Sequence, residues 1–195
     1  MDTRLLEACQ TGNTQFLHQL LAENPLILHK VSLSSSENPL HVASIAGHVA
    51  LAKEILRLRP DFAGQLNQDG FSPIHMASAN GYLEIVREIL AVDRRLSRLE
   101  GRNKWTPLHF AASRGRSDVI REIVWACPES VEDVTTQKES ALHVAVKSSQ
   151  FEAIDVMLRL VREMKKDEIF NMVDELGNSV LHLATWRKNR QASTT

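Results

Sequence analysis

Apolar residues recur along this chain at helical spacing, in short segments that glycine and proline separate. The segment DVIREIV (118–124) places its apolar residues at positions i, i+1, i+4 and i+5, on one face of a helix. Residues 51–56 and 85–90 repeat this stripe. A shorter apolar segment precedes each stripe, as in TPLHFAASRG (106–115). The pattern predicts helix pairs, and because one pair cannot bury such a stripe alone, the pairs must stack.

Local signals fix where the first helix of a pair begins and ends. Thr106 is a good N-cap, because its side-chain oxygen can accept an orphan backbone N–H. Pro107 falls at the first helical position, where its missing N–H costs nothing. Gly115 can end the helix in a left-handed conformation. The equivalent cap positions elsewhere hold Asn38, Ser72, Ser140 and Ser179.

Histidines mark a fixed period along the chain. Four of them stand 34 residues apart, and a fifth follows after 39: His41, His75, His109, His143 and His182. Around them the chain reads NPLHVAS, SPIHMAS, TPLHFAA, SALHVAV and SVLHLAT, which resembles the T-P-L-H-x-A motif of the ankyrin repeat. The resemblance implies an all-α repeat solenoid, an ankyrin-repeat stack with β-hairpin connections between its helix-turn-helix units.

The period divides the chain into about six units within a single domain, residues 1–195. The expected units are 1–31, 32–65, 66–99, 100–133, 134–172 and an incomplete 173–195. The fifth unit is longer, and its charged segment REMKKDE (162–168) is expected to extend its second helix. Ser149 replaces the helix-ending glycine there, so we expect this unit to open first. Because the sixth unit lacks a full second helix, we expect the chain to be a fragment of a longer protein.

Composition narrows the class of protein. With 43% hydrophobic and 24% charged residues the chain is globular in composition, and the N-terminus lacks the pattern of a secretory signal. Residues 87–121 hold nine basic and four acidic side chains, a local net charge of +5 within a chain of net charge −1. That excess is too mild for nucleic-acid binding. Two cysteines and no N-x-S/T acceptor favour a cytosolic setting.

The histidines and cysteines of the chain do not form a pattern typical of a catalytic or metal site. The five repeat histidines occupy one structural position in successive units, where each imidazole can bridge its own turn and the next by hydrogen bonds. Units stacked about 10 Å apart cannot bring them within metal-ligand distance, so we expect no metal site. Cys127 ends an apolar helix and is interpreted as a packing residue. No catalytic or phosphate-binding motif occurs, so we expect neither an enzyme nor a cofactor.

The expected partner site is a concave face formed by the hairpin tips and the exposed side of the first helices. Its candidate residues are Asp69, Phe71, Arg102, Asn103, Trp105, Ser113, Arg114, Glu139, Lys147 and Trp186, with Ser34, Ser35 and Arg187 in flanking units. Trp and Arg are typical interface anchors. Phe71 and Trp105 occupy equivalent tips. They either form a ridge that suits an acidic amphipathic segment, or merely cover the neighbouring hairpin.

Further segments resemble one plant family. LLAENPLIL (20–28), DELGNSVLHLAT (174–185) and the following WRKNRQ resemble plant ankyrin–transmembrane proteins, in which a PGG domain with membrane helices follows the ankyrin domain. The opening MDTRLLEACQTGN is most similar to the bian-da type, implicated in immune signalling and cell death. The resemblance implies a non-catalytic protein-interaction module facing the cytosol, in a full-length protein anchored at the plasma membrane.

Two other functions stay open at the level of sequence. The chain could be a regulatory ankyrin domain of a larger enzyme, which a catalytic motif after residue 195 would reveal. It could also sense a small molecule or lipid on the aromatic ridge, which tryptophan quenching would reveal. Self-association through the incomplete last unit is a further expectation. The partner itself, whether a peptide or a domain, is not named by the sequence.

Overall fold

The computed structural model describes residues 1–29 and 37–192, with side chains as far as residue 186. Ser34, Ser35 and the Arg187 side chain, all assigned above to the partner face, therefore lie outside the described residues. Eleven α-helices form in the described ranges: α1 (Thr3–Thr11), α2 (Thr14–Glu23), α3 (Pro39–Ala46), α4 (Val49–Leu58), α5 (Pro73–Asn80), α6 (Leu83–Val92), α7 (Pro107–Ser113), α8 (Ser117–Ala126), α9 (Ala141–Lys147), α10 (Phe151–Glu163) and α11 (Val180–Ala192).

The helices form two layers that run along a stack. The first helices of the pairs pack in chain order, α1 on α3, then α5, α7, α9 and α11. The second helices form the other layer, from α2 through α4, α6 and α8 to α10. Each pair contacts its neighbours along the chain, which confirms the predicted all-α solenoid.

The predicted capping signals are present at the first helices. Asn38 Oδ1 accepts the N–H of His41 at 3.0 Å, and Pro39 begins α3. Pro73 and Pro107 begin α5 and α7 in the same way. The first position of these helices needs no hydrogen-bond acceptor, because proline has no N–H to leave unpaired.

Glycine is needed at the helix ends for two reasons. Gly47 has a left-handed φ of 79°, and a Cβ there would lie 2.6 Å from the ring of Tyr82, one unit later. Gly81 has φ 82°, and a Cβ there would lie 2.9 Å from Cδ of Arg116, whose Nε donates to the carbonyl of Ala79. The residue after each glycine thus covers the glycine of the preceding unit, a contact that the repeat motif alone does not predict.

The core lies between the two layers and repeats with the units. The motif position before the first four repeat histidines is fully buried, at Leu40, Ile74, Leu108 and Leu142, whereas Leu181 before His182 is exposed. So are the predicted second-helix stripes, including Ile55, Ile89 and Ile123. Alanines such as Ala77 and Ala111 are also fully buried, which lets neighbouring first helices approach closely.

The connections between units are tight turns linked from tip to tip. Four tips close with one hydrogen bond each: Asn67 N–H to Phe71 O, Gly101 to Trp105, Thr135 to Glu139 and Asp174 to Asn178. Arg102 N–H donates to Gly70 O of the preceding tip at 2.9 Å, and Thr136 N–H donates to Asn103 O at 3.0 Å. The β pairing of the described residues is limited to isolated bridges at Val134–Ser140 and Val173–Ser179.

The fifth unit differs from one expectation. Helix α10 has 13 residues against 10 in α8, but it ends at Glu163. Only the first two residues of REMKKDE therefore extend the helix. Lys165 has a φ of 56° and turns the chain, and a 3-10 helix begins at Asp167. The insertion is thus shared between helix and turn, because a left-handed residue interrupts the helical backbone.

Candidate protein-interaction surface

Four of the repeat histidines hold the hairpin tips in place. In each, Nδ1 accepts the backbone N–H of its own N-cap residue, as from Ser72 to His75 at 3.0 Å. On the other side of each ring, Nε2 donates to a carbonyl of the next tip. The acceptors are Phe71 O for His41, Leu99 O and Trp105 O for His75, Glu139 O for His109, and Asn178 O for His143. These are the bridges that the motif predicts.

Burial determines the charge of these rings. It lowers the pKa of His41, His109 and His143, and it lowers the pKa of His75 to about 4. The rings are therefore neutral at pH 7, with the proton on Nε2, since the carbonyl oxygens can only accept. His182 bonds its own cap residue Ser179 through Nδ1 but is exposed. A tip held by a buried neutral bridge is a fixed platform for the side chains it carries.

The tips and the exposed side of the first helices together form what we call the hairpin face. The structure leaves the side chains of Asp69, Arg102, Asn103 and Arg114 exposed on it. Phe71, Trp105 and Ser113 are half-buried, whereas Lys147 and Trp186 are exposed. Glu139 is the exception, because it is only 5% exposed.

Phe71 and Trp105 meet through a residue that the sequence analysis overlooked. The ring of Phe110, on α7, lies 5.1 Å from that of Phe71 and 5.1 Å from that of Trp105, with edge-to-face geometry in both pairs. His75 lies 5.5 Å from Phe110 beneath them. We call Phe71, Phe110 and Trp105 the aromatic cluster. Phe71 lies against the next hairpin, since a Cβ at Gly101 would lie 3.1 Å from its Cδ1, and all three rings are half-buried. That the rings form a binding ridge stays a prediction.

The sequence did carry a signal for Phe110. It occupies the variable position of L-H-x-A, where the other units hold Val42, Met76, Val144 and Leu183. That position is half-buried in the third and fourth units, at Met76 and Phe110, and buried in the others. An aromatic side chain there adds surface next to the tip of its own unit.

The fourth tip has an unusual backbone. Asn103 and Lys104 both have a φ of 58°, in the left-handed region. The third and sixth tips use a glycine for their left-handed residue, Gly70 and Gly177. A side chain in this conformation costs about 1–2 kcal/mol, less for asparagine. The turn directs three consecutive polar side chains, from Arg102 to Lys104, into solvent beside the aromatic cluster.

The next part of the hairpin face is held by ion pairs. The Lys147 ammonium bonds the carboxylate of Glu139 and lies 3.1 Å from Oδ2 of Asp174. Both carboxylates are buried, Glu139 with a side-chain exposure of 7% and Asp174 of 2%. We call these three residues the ionic cluster. Glu139 and Lys147 were expected to be free for a partner. Instead they bind each other within the fifth unit, and Lys147 also binds Asp174 of the sixth unit.

Hydrogen bonds decide the charge of Asp174. Burial alone would raise its pKa, but the Asn178 N–H at 2.8 Å and the Lys147 ammonium outweigh burial and hold the pKa at about 2. The carboxylate is therefore ionised at neutral pH. The ionic cluster joins the fifth and sixth units and offers a partner no free carboxylate from Glu139.

The described side chains contain no group of three His, Cys, Asp or Glu residues placed to hold a metal ion. Cys127 is half-buried at the end of α8, and its thiol donates to the Glu129 carboxylate at 3.3 Å. In the described ranges, no helix has both the length and the apolar character needed to span a lipid bilayer.

Comparison with known families agrees with this architecture. A family model described as ankyrin repeats, three copies, matches residues 5–97, 40–130, 93–166 and 108–193. The chain belongs to the ankyrin-repeat family. Ankyrin-repeat domains are in general non-catalytic modules that bind other proteins.

A curated relative gives a narrower likeness. An ankyrin repeat-containing protein of Arabidopsis thaliana, BDA1, is 44% identical over 73 residues, which cover 37% of this chain. The same alignment covers 17% of the relative's length. The likeness therefore concerns a part of the ankyrin repeats and says nothing of the remainder of that protein.

Proposed function

We propose that this ankyrin-repeat chain, as a single domain of about six units, is a non-catalytic interaction module that captures a protein partner on its hairpin face. The observation that carries the proposal is the half-exposed aromatic cluster on rigid, histidine-bridged tips. Aromatic residues and arginine are enriched at the energetic centres of interfaces. Here three rings and two arginines, Arg102 and Arg114, lie on the same face of consecutive units.

The biological setting is a second part of the proposal. The domain belongs to a membrane-anchored regulator of plant immune signalling and cell death, with its ankyrin repeats in the cytosol and its full-length form at the plasma membrane. This setting is supported by the resemblance of residues 1–13, 20–28 and 174–185 to the plant ankyrin–transmembrane proteins, and by the partial likeness to the Arabidopsis relative. In that setting the domain holds its partner near the membrane.

The test is affinity capture from plant cytosol and membranes. The bait is the wild-type domain beside a triple variant of the hairpin face, Phe71→Ala, Trp105→Ala and Arg114→Glu. A matched control carries the same three changes elsewhere, as Phe151→Ala, Trp125→Ala and Arg94→Glu. Phe151 and Trp125 are 71% and 68% exposed on second helices, and Arg94 is exposed after α6. Circular dichroism first establishes that both variants are folded.

Proteins that the wild-type domain and the control capture, and the triple variant loses, would support the hairpin face as the working surface. Identical captures by all three baits would overturn this assignment. Loss with the control variant alone would move the function to the second-helix layer. For the setting, the full-length protein carrying a fluorescent tag should be found at the plasma membrane, and a uniform cytosolic signal would contradict the proposal.

A further inference from the structure

The basic side chains beside the aromatic cluster differ from most others in their pairing. On the second helices, two cations are bound across units, Lys53 to Glu88 at 2.9 Å and Arg87 to Glu122 at 2.7 Å, and others pair within their own helix, as Arg57 does with Glu54. Arg102 and Arg114 form no ion pair with any residue in the part of the chain that the structure describes. Their charge is therefore available to a ligand.

The two arginines bracket the cluster along the fourth unit. Arg102 lies in the tip, where its carbonyl accepts the N–H of Trp105 at 3.2 Å. Arg114 follows Phe110 by four residues at the end of α7, and residues so spaced lie on the same helix face. The order along the hairpin face is thus Arg102, Trp105, Phe110 and Arg114, with rings between two cations.

Nearby carboxylates do little to neutralise this arrangement. Glu139, the equivalent of Trp105 one unit later, is buried and bound to Lys147. Glu100 pairs with Lys104 at 3.7 Å and forms no ion pair with Arg102 or Arg114. Asp69 is the exposed acidic residue of the preceding tip. The fourth unit therefore presents an excess of positive charge around an apolar centre.

We propose that the ligand of this surface is a short acidic segment of a partner protein with one bulky apolar side chain between two carboxylates. The apolar side chain packs on the aromatic cluster, and the carboxylates pair with Arg102 and Arg114. This inference rests on the proposed function, because it names the partner chemistry of the same face. Charged pairs at the edge of an apolar contact set specificity and orientation.

Dimensions of the unit set the spacing within the segment. Helix α7 has seven residues and spans about 10 Å at about 1.5 Å per residue, and the two arginines lie beyond its ends. An extended chain advances about 3.3 Å per residue, so carboxylates four positions apart are separated by about 13 Å. The segment is therefore acidic at positions i and i+4, with the apolar residue at i+2.

The test uses fluorescein-labelled twelve-residue peptides in fluorescence anisotropy titrations. The probe has glutamates at positions i and i+4 and phenylalanine at i+2, in a serine and glycine frame. Control peptides replace both glutamates by glutamine, both by lysine, or the phenylalanine by serine. The protein variants are Arg102→Glu with Arg114→Glu, and, as the matched control, Arg94→Glu with Arg121→Glu. Neither Arg94 nor Arg121 forms an ion pair with a described residue.

We expect the glutamate probe to bind the wild-type domain with a Kd below about 1 mM and at least about tenfold more tightly than the glutamine peptide. The Arg102→Glu, Arg114→Glu variant should bind the glutamate probe at least about tenfold more weakly and bind the lysine peptide more tightly than the wild-type domain does. The Arg94→Glu, Arg121→Glu control should bind the glutamate probe with a Kd within about twofold of the wild-type value. Raising the salt concentration should weaken binding of the glutamate probe more than binding of the glutamine peptide, because salt screens charge pairs.

Equal binding of the glutamate, glutamine and lysine peptides would overturn the inference, as would no binding of the glutamate probe at 1 mM. Equal competition by a twelve-residue oligonucleotide or by anionic vesicles would also overturn it, since the surface would then attract any polyanion. If the peptides fail but the triple variant loses its captured proteins, the proposed function stands and only the acidic ligand is wrong. If the glutamate probe binds as expected but captures are identical, the proposed function is wrong.

Discussion

Phe71, Trp105 and Glu139 occupy the same position in three successive units, 34 residues apart, yet the surfaces they form are opposite in character. The first two are half-exposed and belong to the aromatic cluster. The third is buried and belongs to the ionic cluster, where Lys147 holds it. All three tips close with the same backbone hydrogen bond, although the fourth turns through two left-handed residues, Asn103 and Lys104. What the repeat conserves is thus the platform, and one side chain per unit decides whether the surface is free to bind.

Acidification should give the largest change in the free energy of unfolding. It should act most strongly on the histidine beneath the aromatic cluster. The pKa of His75 is lowered from 6.5 to about 4, so the unfolded chain takes up a proton that the folded chain refuses. Stability is therefore fully present above pH 6.5 and is lost as the pH falls toward 4, by about 3 kcal/mol for His75 alone. Denaturant unfolding at pH 7, 6, 5 and 4 measures this loss. A flat profile would contradict it.

The same acidification distinguishes the histidines from one another. Burial lowers the pKa of His143 as well, but the carboxylates of Asp174 and Glu139 oppose that shift. We expect NMR titration to show that His75, beneath the aromatic cluster, stays neutral to a lower pH than His143. Titration of both rings at the same pH would mean that the ionic cluster does not influence its histidine.

Removal of the shared cation tests the ionic cluster directly. The change Lys147→Met leaves two buried carboxylates unpaired, which should lower the free energy of unfolding by about 2–3 kcal/mol. This is less than for a fully buried pair, because the Lys147 side chain is 39% exposed. The control Lys138→Met removes an exposed cation and should change it by less than about 0.5 kcal/mol. Equal chemical denaturation midpoints for the two variants would show that the cluster is not stabilising.

Removal of the central ring tests the aromatic cluster. The change Phe110→Ala removes the contact that joins Phe71 to Trp105, and we expect a loss of about 2 kcal/mol, below the value for a fully buried phenylalanine. Phe151→Ala removes a ring that is 71% exposed and should cost less than about 0.5 kcal/mol. Urea unfolding compares the two, and an unchanged midpoint for Phe110→Ala would mean that the rings touch without stabilising the stack.

The smallest change in the free energy of unfolding is expected at Ser149, at the end of the first helix of the fifth unit. Ser149 has a φ of 55°, so Ser149→Gly should raise the free energy of unfolding by about 1 kcal/mol. Ser148 has a φ of −91°, and Ser148→Gly should give no gain. Hydrogen exchange should show the wild-type fifth unit opening before the fourth, and equal protection of both units would contradict a weak point there.

The fold could be predicted from sequence because its determinants are local and repeated. Caps such as Asn38, prolines such as Pro107 and the histidine period each specify the same backbone in every unit. The extent of α10 could not be predicted, because the insertion occurs once and has no repeated counterpart. Its end depends on the left-handed turn at Lys165, which no glycine marks in the sequence.

The candidate surface was predicted only in outline. Repeat phase predicted surface positions for Phe71, Arg102 and Arg114, and the structure leaves both arginines exposed and Phe71 half-buried. It did not reveal the burial of Glu139, because that depends on Lys147 and on Asp174, which lies 35 residues after Glu139. Contacts between side chains of different units change with every substitution, so the period that predicts the backbone carries no information about them.

The histidine bridges give the stack a direction. Each ring donates its proton forward, as His109 does to the Glu139 carbonyl 30 residues later. A chain cut after residue 133 would remove the acceptor of that donor, whereas loss of units from the other end removes donors and leaves their carbonyl acceptors. A growing chain emerges in the same direction, from the N-terminus to the C-terminus. Each histidine bridge can therefore form only after the following unit has been synthesised.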